Sequence, residues 1–218
     1  MYREIAKELK TYADDNFAEW IKPYLSIKNS SDDVVLGIRV PILRKLAKKY
    51  KIIDNNVLEK LLTSTIHEER ELALFIMVLK TKTEPKDMYE MYLRNLKYIN
   101  NWDLIDYTAP HIVAPNTSVE CLRELMNSDY IWANRVAVVS TIFHIKHGNF
   151  ELALEFAKKC MYHSHHLMHK VSGWMLREIG KKDEKVLIEF LEKYSDKMPS
   201  IMRSYATEKL KKNNNCHK

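Results

Sequence analysis

The chain has 218 residues but only 4 Gly and 6 Pro, about 5% together where roughly 12% is usual. Sandwiches and barrels spend these residues on turns, so the shortage argues against them, and Gly37, Gly148, Gly173 and Gly180 are too scattered for a dinucleotide or Walker A phosphate loop. The 35 Lys+Arg against 29 Asp+Glu give a net charge of +6, compatible with a polyanionic partner but common among soluble proteins.

In chain order, the N-terminus MYREIAKELKTYADDN carries acids and lacks a long apolar run, unlike a signal or transit peptide. The longest apolar stretches, such as Leu72–Leu79, are too short to span a bilayer. The expected setting is soluble and intracellular: cytoplasmic in a bacterium, nuclear or cytoplasmic in a eukaryote. Pro41 opens the helix PILRKLAKKY. In HEERELALFIMVLK, Leu72, Phe75, Ile76 and Leu79 make one helical stripe. Pro85 opens PKDMYEMYLRNL, Asn116-Thr117-Ser118 precedes VECLRELM, and Pro199 precedes SIMRSYATEKL. Gly148 is expected to end VAVVSTIFHIKH, and Gly180 to end WMLREI. About a dozen helices of 8 to 16 residues result, with no convincing period-2 segment. Cys121, Cys160 and Cys216 are odd in number and lack CxxC spacing, so neither a zinc ribbon nor a disulfide framework is indicated.

The helices repeat. Arg70, Asp103, Arg135, Lys170 and Arg203 are spaced by 33, 32, 35 and 33 residues, each near the start of an apolar helix. One other amphipathic helix lies between successive members. Two-helix units of this length bury their faces only against neighbours. The expected fold is therefore all-α, a HEAT-like helix-pair α-solenoid over residues 1–212 as a single domain, with a disordered polar tail at 213–218. In register, four cations and Asp103 would form a row along one face, a concave basic groove suited to phosphates. The competing reading, at even weight, is that the row makes ion pairs between adjacent repeats.

Two constellations carry possible chemistry. In NNWDLIDYTAP, Trp102 and Asp106 share a helix face, and Asp103 either joins them or caps the helix start. A carboxylate so placed can stabilise a developing cation or position a water; alternatively Trp102 is a core anchor and Asp106 pairs with an Arg. In HLMHKVSGWMLREIGK, Lys170, Trp174 and Arg177 align as cation, indole, cation, as in nucleic-acid contacts. Gly173 beside them costs the helix roughly 1 kcal/mol against Ala, implying close approach of a ligand or of another helix. Trp132, in IWANRVAVVSTIFHI, reads as core. His165 and His169 have zinc-ligand spacing, but no carboxylate or cysteine is in register, so no metal is expected there.

NNWDLIDYTAP, IWANRVAVV, HKVSGWMLREIGKKD and MPSIMRSYATEKL, in that order and spacing, resemble the AlkD-type DNA glycosylases of the DNA alkylation repair family, as do LGIRVPILRKLAKKY and HEERELALFIM. The resemblance runs from about residue 20 to 212. It implies HEAT-like helix pairs around duplex DNA and hydrolysis of the N-glycosidic bond of cationic alkylated purines, typically 3-methyladenine and 7-methylguanine, in base excision repair. It implies Asp106 as the catalytic carboxylate, Trp102 and Trp174 as indoles around the deoxyribose, and Arg135 as the arginine of the same cleft. Tyr24, in KPYLS, matches an aromatic of the N-terminal helices. Arg39, Arg70, Asp103, Lys170, Arg177 and Arg203 are the further expected DNA-binding residues. A monofunctional enzyme, monomeric and without metal or organic cofactor, is expected on this basis. The rival is a non-catalytic array binding nucleic acid or protein.

Overall fold

In a computed structural model, which describes residues 1–25 and 33–210, the regular secondary structure of the described residues is helical, apart from one isolated parallel bridge between Val34 and Ile66. The expected tail at 213–218 lies outside the described residues. Chain contacts fall into two compact units, one from Met1 to Thr117 and one beginning at Ser118, where a single array was expected.

The first unit contains α1 (Tyr2–Lys10), α2 (Asp15–Ile21), α3 (Val40–Lys49), α4 (Asn55–Leu62), α5 (His67–Lys80), α6 (Pro85–Arg94), α7 (Trp102–Asp106) and α8 (Ala109–Ile112). Helix α5 is its core: every residue from His67 to Met77 is buried, so the four-residue stripe becomes a helix covered on all sides. It packs against α3 and α4, and more lightly against α1, α6, α7 and α8. Helices α7 and α8 are shorter than expected, at 5 and 4 residues. Pro110 has no amide to give the Asp106 carbonyl, so the helix breaks between them.

Residues 33–39 run extended along the start of α5. The Val34 amide donates to the Thr65 carbonyl, and the His67 amide to that of Val34, both at 2.9 Å. Gly37 adopts φ +76°, and a Cβ there would lie 2.2 Å from the Asp14 carbonyl oxygen, so only glycine fits beneath the first turn of α2.

The second unit contains α9 (Val119–Met126), α10 (Ile131–Lys146), α11 (Glu151–Cys160), α12 (His166–Lys182), α13 (Glu184–Tyr194) and α14 (Ser200–Thr207). Helix α10 packs against α9, α11 and α12, and α12 against α13 and α14. Predicted starts hold: Ser118 caps α9 by accepting the Cys121 amide at 3.1 Å, and Pro199 immediately precedes α14. Helix α10 ends at Lys146, just ahead of Gly148. Gly180 does not end α12, which continues to Lys182. A Cβ there would meet Leu187 of α13 at 2.4 Å, so this glycine serves helix contact, and Asp183 starts α13 by accepting the Lys185 and Val186 amides.

Candidate active site

In the first unit, α7 presents the expected pair. Asn101 accepts the Trp102 amide at 2.8 Å and so starts the helix. Trp102 and Asp106, at its two ends, are both half-buried. The indole Nε1 of Trp102 donates to the Tyr24 carbonyl at 2.9 Å, bringing together two residues 78 apart in sequence. Tyr24 itself is exposed and packs on Trp20, ring centroids 5.2 Å apart. The Asp106 carboxylate acts on Tyr92, whose buried phenol is held above its ordinary range by desolvation first, with the Asp106 charge adding to it.

Beside Trp102 lies a cavity of about 420 Å³, lined by Phe17 and Ile21 of α2, by the 35–41 segment, by His67, Glu68 and Glu71 of α5, and by Asp103. Arg39 stands exposed at this cavity, its guanidinium 4.3 Å from the Phe17 ring centre.

The first turn of α5 is charged yet buried throughout, from His67 to Glu71. Buried ionisable groups are tolerated when partnered, and four of these are. Glu68 accepts the amides of Leu36, Gly37 and Ile38 at 2.8, 2.7 and 3.3 Å. The Tyr2 hydroxyl donates to Glu69 at 3.0 Å. Arg70 grips both carboxylate oxygens of Asp33, at 2.6 and 2.7 Å, and donates to the Ser64 carbonyl at 2.9 Å. His67 Nε2 lies 2.8 Å from Asp103 Oδ2. Glu71, only 6% exposed, makes no hydrogen bond among the described residues. Burial, then the Asp103 charge, pushes its carboxyl strongly upward. Burial lowers the His67 imidazole, but Asp103, followed by Glu71 and Glu68, outweighs it and raises the net value.

In the second unit, Trp174 is half-buried and its Nε1 donates to Glu178 Oε1 at 3.0 Å. Arg177 pairs closely with Glu208 and lies 3.8 Å from Glu178. Arg135 is 5% exposed, with Nη1 donating to the Leu167 carbonyl at 3.0 Å. Lys170 is half-buried and Arg203 exposed. Gly173 meets α14 so closely that a Cβ would lie 2.4 Å from the Met202 carbonyl oxygen, which favours helix contact as the reason for that glycine.

A family model described as DNA alkylation repair enzyme matches residues 5–210. The chain belongs to the DNA alkylation repair enzyme family. Among solved structures it is similar to a "Predicted DNA alkylation repair enzyme from Enterococcus faecalis", at 16% identity and a TM-score of 0.68, covering 92% of this chain and 97% of that one. That likeness speaks for the shared helical fold. No curated protein matches the chain.

Within this family member the sequence-predicted residues fare differently. Trp102, Asp106 and Tyr24 gather around α7. Arg70, expected at the phosphates, is buried and holds Asp33 in a two-pronged ion pair, the kind of contact the ion-pairing reading of the row describes. Asp103 likewise turns to His67. Arg135 is buried, and Arg177 is occupied by carboxylates. Of the row's cations, Lys170 is half-buried and Arg203 exposed. Trp132 is core, 8% exposed. At the histidines, His165 Nδ1 accepts the Leu167 amide at 3.2 Å and His169 Nε2 lies 2.8 Å from the His163 carbonyl. Sequence reasoning missed His67, Glu68 and Glu71. The signal was there: five polar residues heading a helix otherwise apolar all round. No helix among the described residues is long and apolar enough to cross a membrane.

Proposed function

We propose that this member of the DNA alkylation repair family is a DNA glycosylase, hydrolysing the N-glycosidic bond of cationic purines alkylated at N3 or N7 in duplex DNA. The observation that carries this reading is α7: a carboxylate and an indole one helical turn apart, half-buried rather than sealed, with the indole held in place by the Tyr24 carbonyl.

The chemistry suits a lone carboxylate. An alkylated purine is already positive and leaves without being protonated, so a strong general acid is unnecessary. Bond breaking puts positive charge on the sugar, as in glycoside hydrolysis. An ionised Asp106 would stabilise that charge and orient the attacking water. The Trp102 face would add cation–π attraction. Trp174 and Arg135 enter the proposal through the family resemblance. For Arg135 the proposed role is positioning, since its guanidinium is buried on the Leu167 carbonyl. Phosphate contact falls to the accessible cations Arg39, Lys170 and Arg203.

The test is release of free base. Incubated with methylated duplex DNA, the protein is expected to liberate 7-methylguanine and 3-methyladenine above the spontaneous rate. Release no faster than in protein-free DNA, with duplex binding intact, would establish the non-catalytic rival.

A further inference from the structure

We infer that His67, Glu71 and Asp103 form a binding site for a divalent first-row transition-metal ion, which ties α5 to α7. One ligand atom from each of the three lies within 4.8 Å of those of the other two. Donors held at about 2.0–2.2 Å from an ion are a few ångströms apart, so modest side-chain rotation would bring the trio onto one centre. An imidazole with two carboxylates is a donor set that suits manganese, iron, cobalt, nickel or zinc rather than calcium.

Proximity of acids alone would not carry this. The independent observation is Glu71, a carboxylate more than nine-tenths buried that lines the cavity beside Trp102 and has no hydrogen-bond donor among the described residues. The other charged side chains of that turn each hold at least one protein partner, although His67 Nδ1 and Arg70 Nε are buried without one. Glu68, next to Glu71, is taken up by three backbone amides and is not available as a ligand. His67 and Glu71 stand one turn apart on α5, while Asp103 comes from α7, so an ion would cross-link the two helices. The cavity leaves room for water at the remaining coordination positions and a path for entry. The ion's role would be to fix α7, the five-residue helix that carries Trp102 and Asp106. The site is independent of the glycosylase reading, because its occupancy is measured without DNA.

The experiment uses the untagged full chain, stripped with chelator and titrated with Co²⁺ in a visible-absorption cell, then with Zn²⁺ in a calorimeter. Expected is one equivalent bound, with a ligand-field spectrum that Zn²⁺ abolishes. E71Q and D103N should each weaken binding at least tenfold while keeping the helical circular-dichroism spectrum. H165A/H169A should bind like the parent protein. Absence of stoichiometric Co²⁺ binding to the parent chain overturns the site, as does binding lost in H165A/H169A but kept in E71Q. Should D103N misfold, E71Q and the parent spectrum decide the matter.

Discussion

At the scale of single residues, burial separates the cations that hold the fold from those that can meet DNA. Arg70 binds Asp33 with both arms in a site where each side chain is less than one-tenth exposed. Removing one partner leaves the other charged and buried, a loss of about 3–5 kcal/mol. R70A should therefore shift the urea midpoint strongly. At a concentration where it is folded, its DNA affinity should keep the parent's salt dependence. Arg203 is exposed, so R203A should leave stability nearly unchanged and reduce the slope of log affinity against log salt by about 0.9. A reversed pattern would return Arg70 to the DNA face. Spacing placed both arginines at helix starts correctly. It did not distinguish them, because spacing carries no information about partners remote in sequence. What differs is Asp33, which lies 37 residues from Arg70 and reaches it only through the extended 33–39 segment.

At the scale of elements, the first turn of α5 and the α12–α14 contact make the sharpest claims. Glu71 titrates near 8 in the fold against 4.5 when unfolded. A raised value means stability is full below the unfolded value and is lost as pH rises through the folded one. His67 is raised too and pulls the same way. The metal-stripped protein should therefore lose stability from about pH 5 to beyond pH 8, and E71Q should flatten that decline, read as thermal midpoint against pH. A parent protein whose midpoint is level over this range would show Glu71 ionised without penalty. Gly173 faces the Met202 carbonyl oxygen and, at 2.7 Å from its would-be Cβ, the Tyr205 Cβ. Neither can swing away as a long side chain would, so G173A should cost about 1–3 kcal/mol. A neutral G173A would show that α14 can move aside. Helix starts were legible because Pro41, Pro85, Ser118 and Pro199 act locally. Gly180 misled because the same residue that ends helices also allows close approach, here of Leu187, and only the fold tells which. The break between α7 and α8 was written in Pro110, inside a motif read for its carboxylates instead.

At the scale of the whole molecule, scarce Gly and Pro together with a period near 33 residues predict an all-helical chain of stacked pairs. The helices and the family match bear out that fold class. The division at Thr117 was not legible, since the repeat spacing runs through it without interruption. The net charge of +6 acquires a narrower meaning. Two cations counted toward a basic face, Arg70 and Arg177, pair with carboxylates of this chain, so duplex binding should depend on salt through a few accessible side chains rather than the full row. The central claim concerns Asp106, and single-turnover release of 7-methylguanine from a duplex with one lesion, at saturating protein, measures it most directly. The parent protein should release the base well above the spontaneous rate, and D106N should fall by about 100-fold or more while binding the same duplex equally well. D106N releasing base at the parent rate would contradict the account.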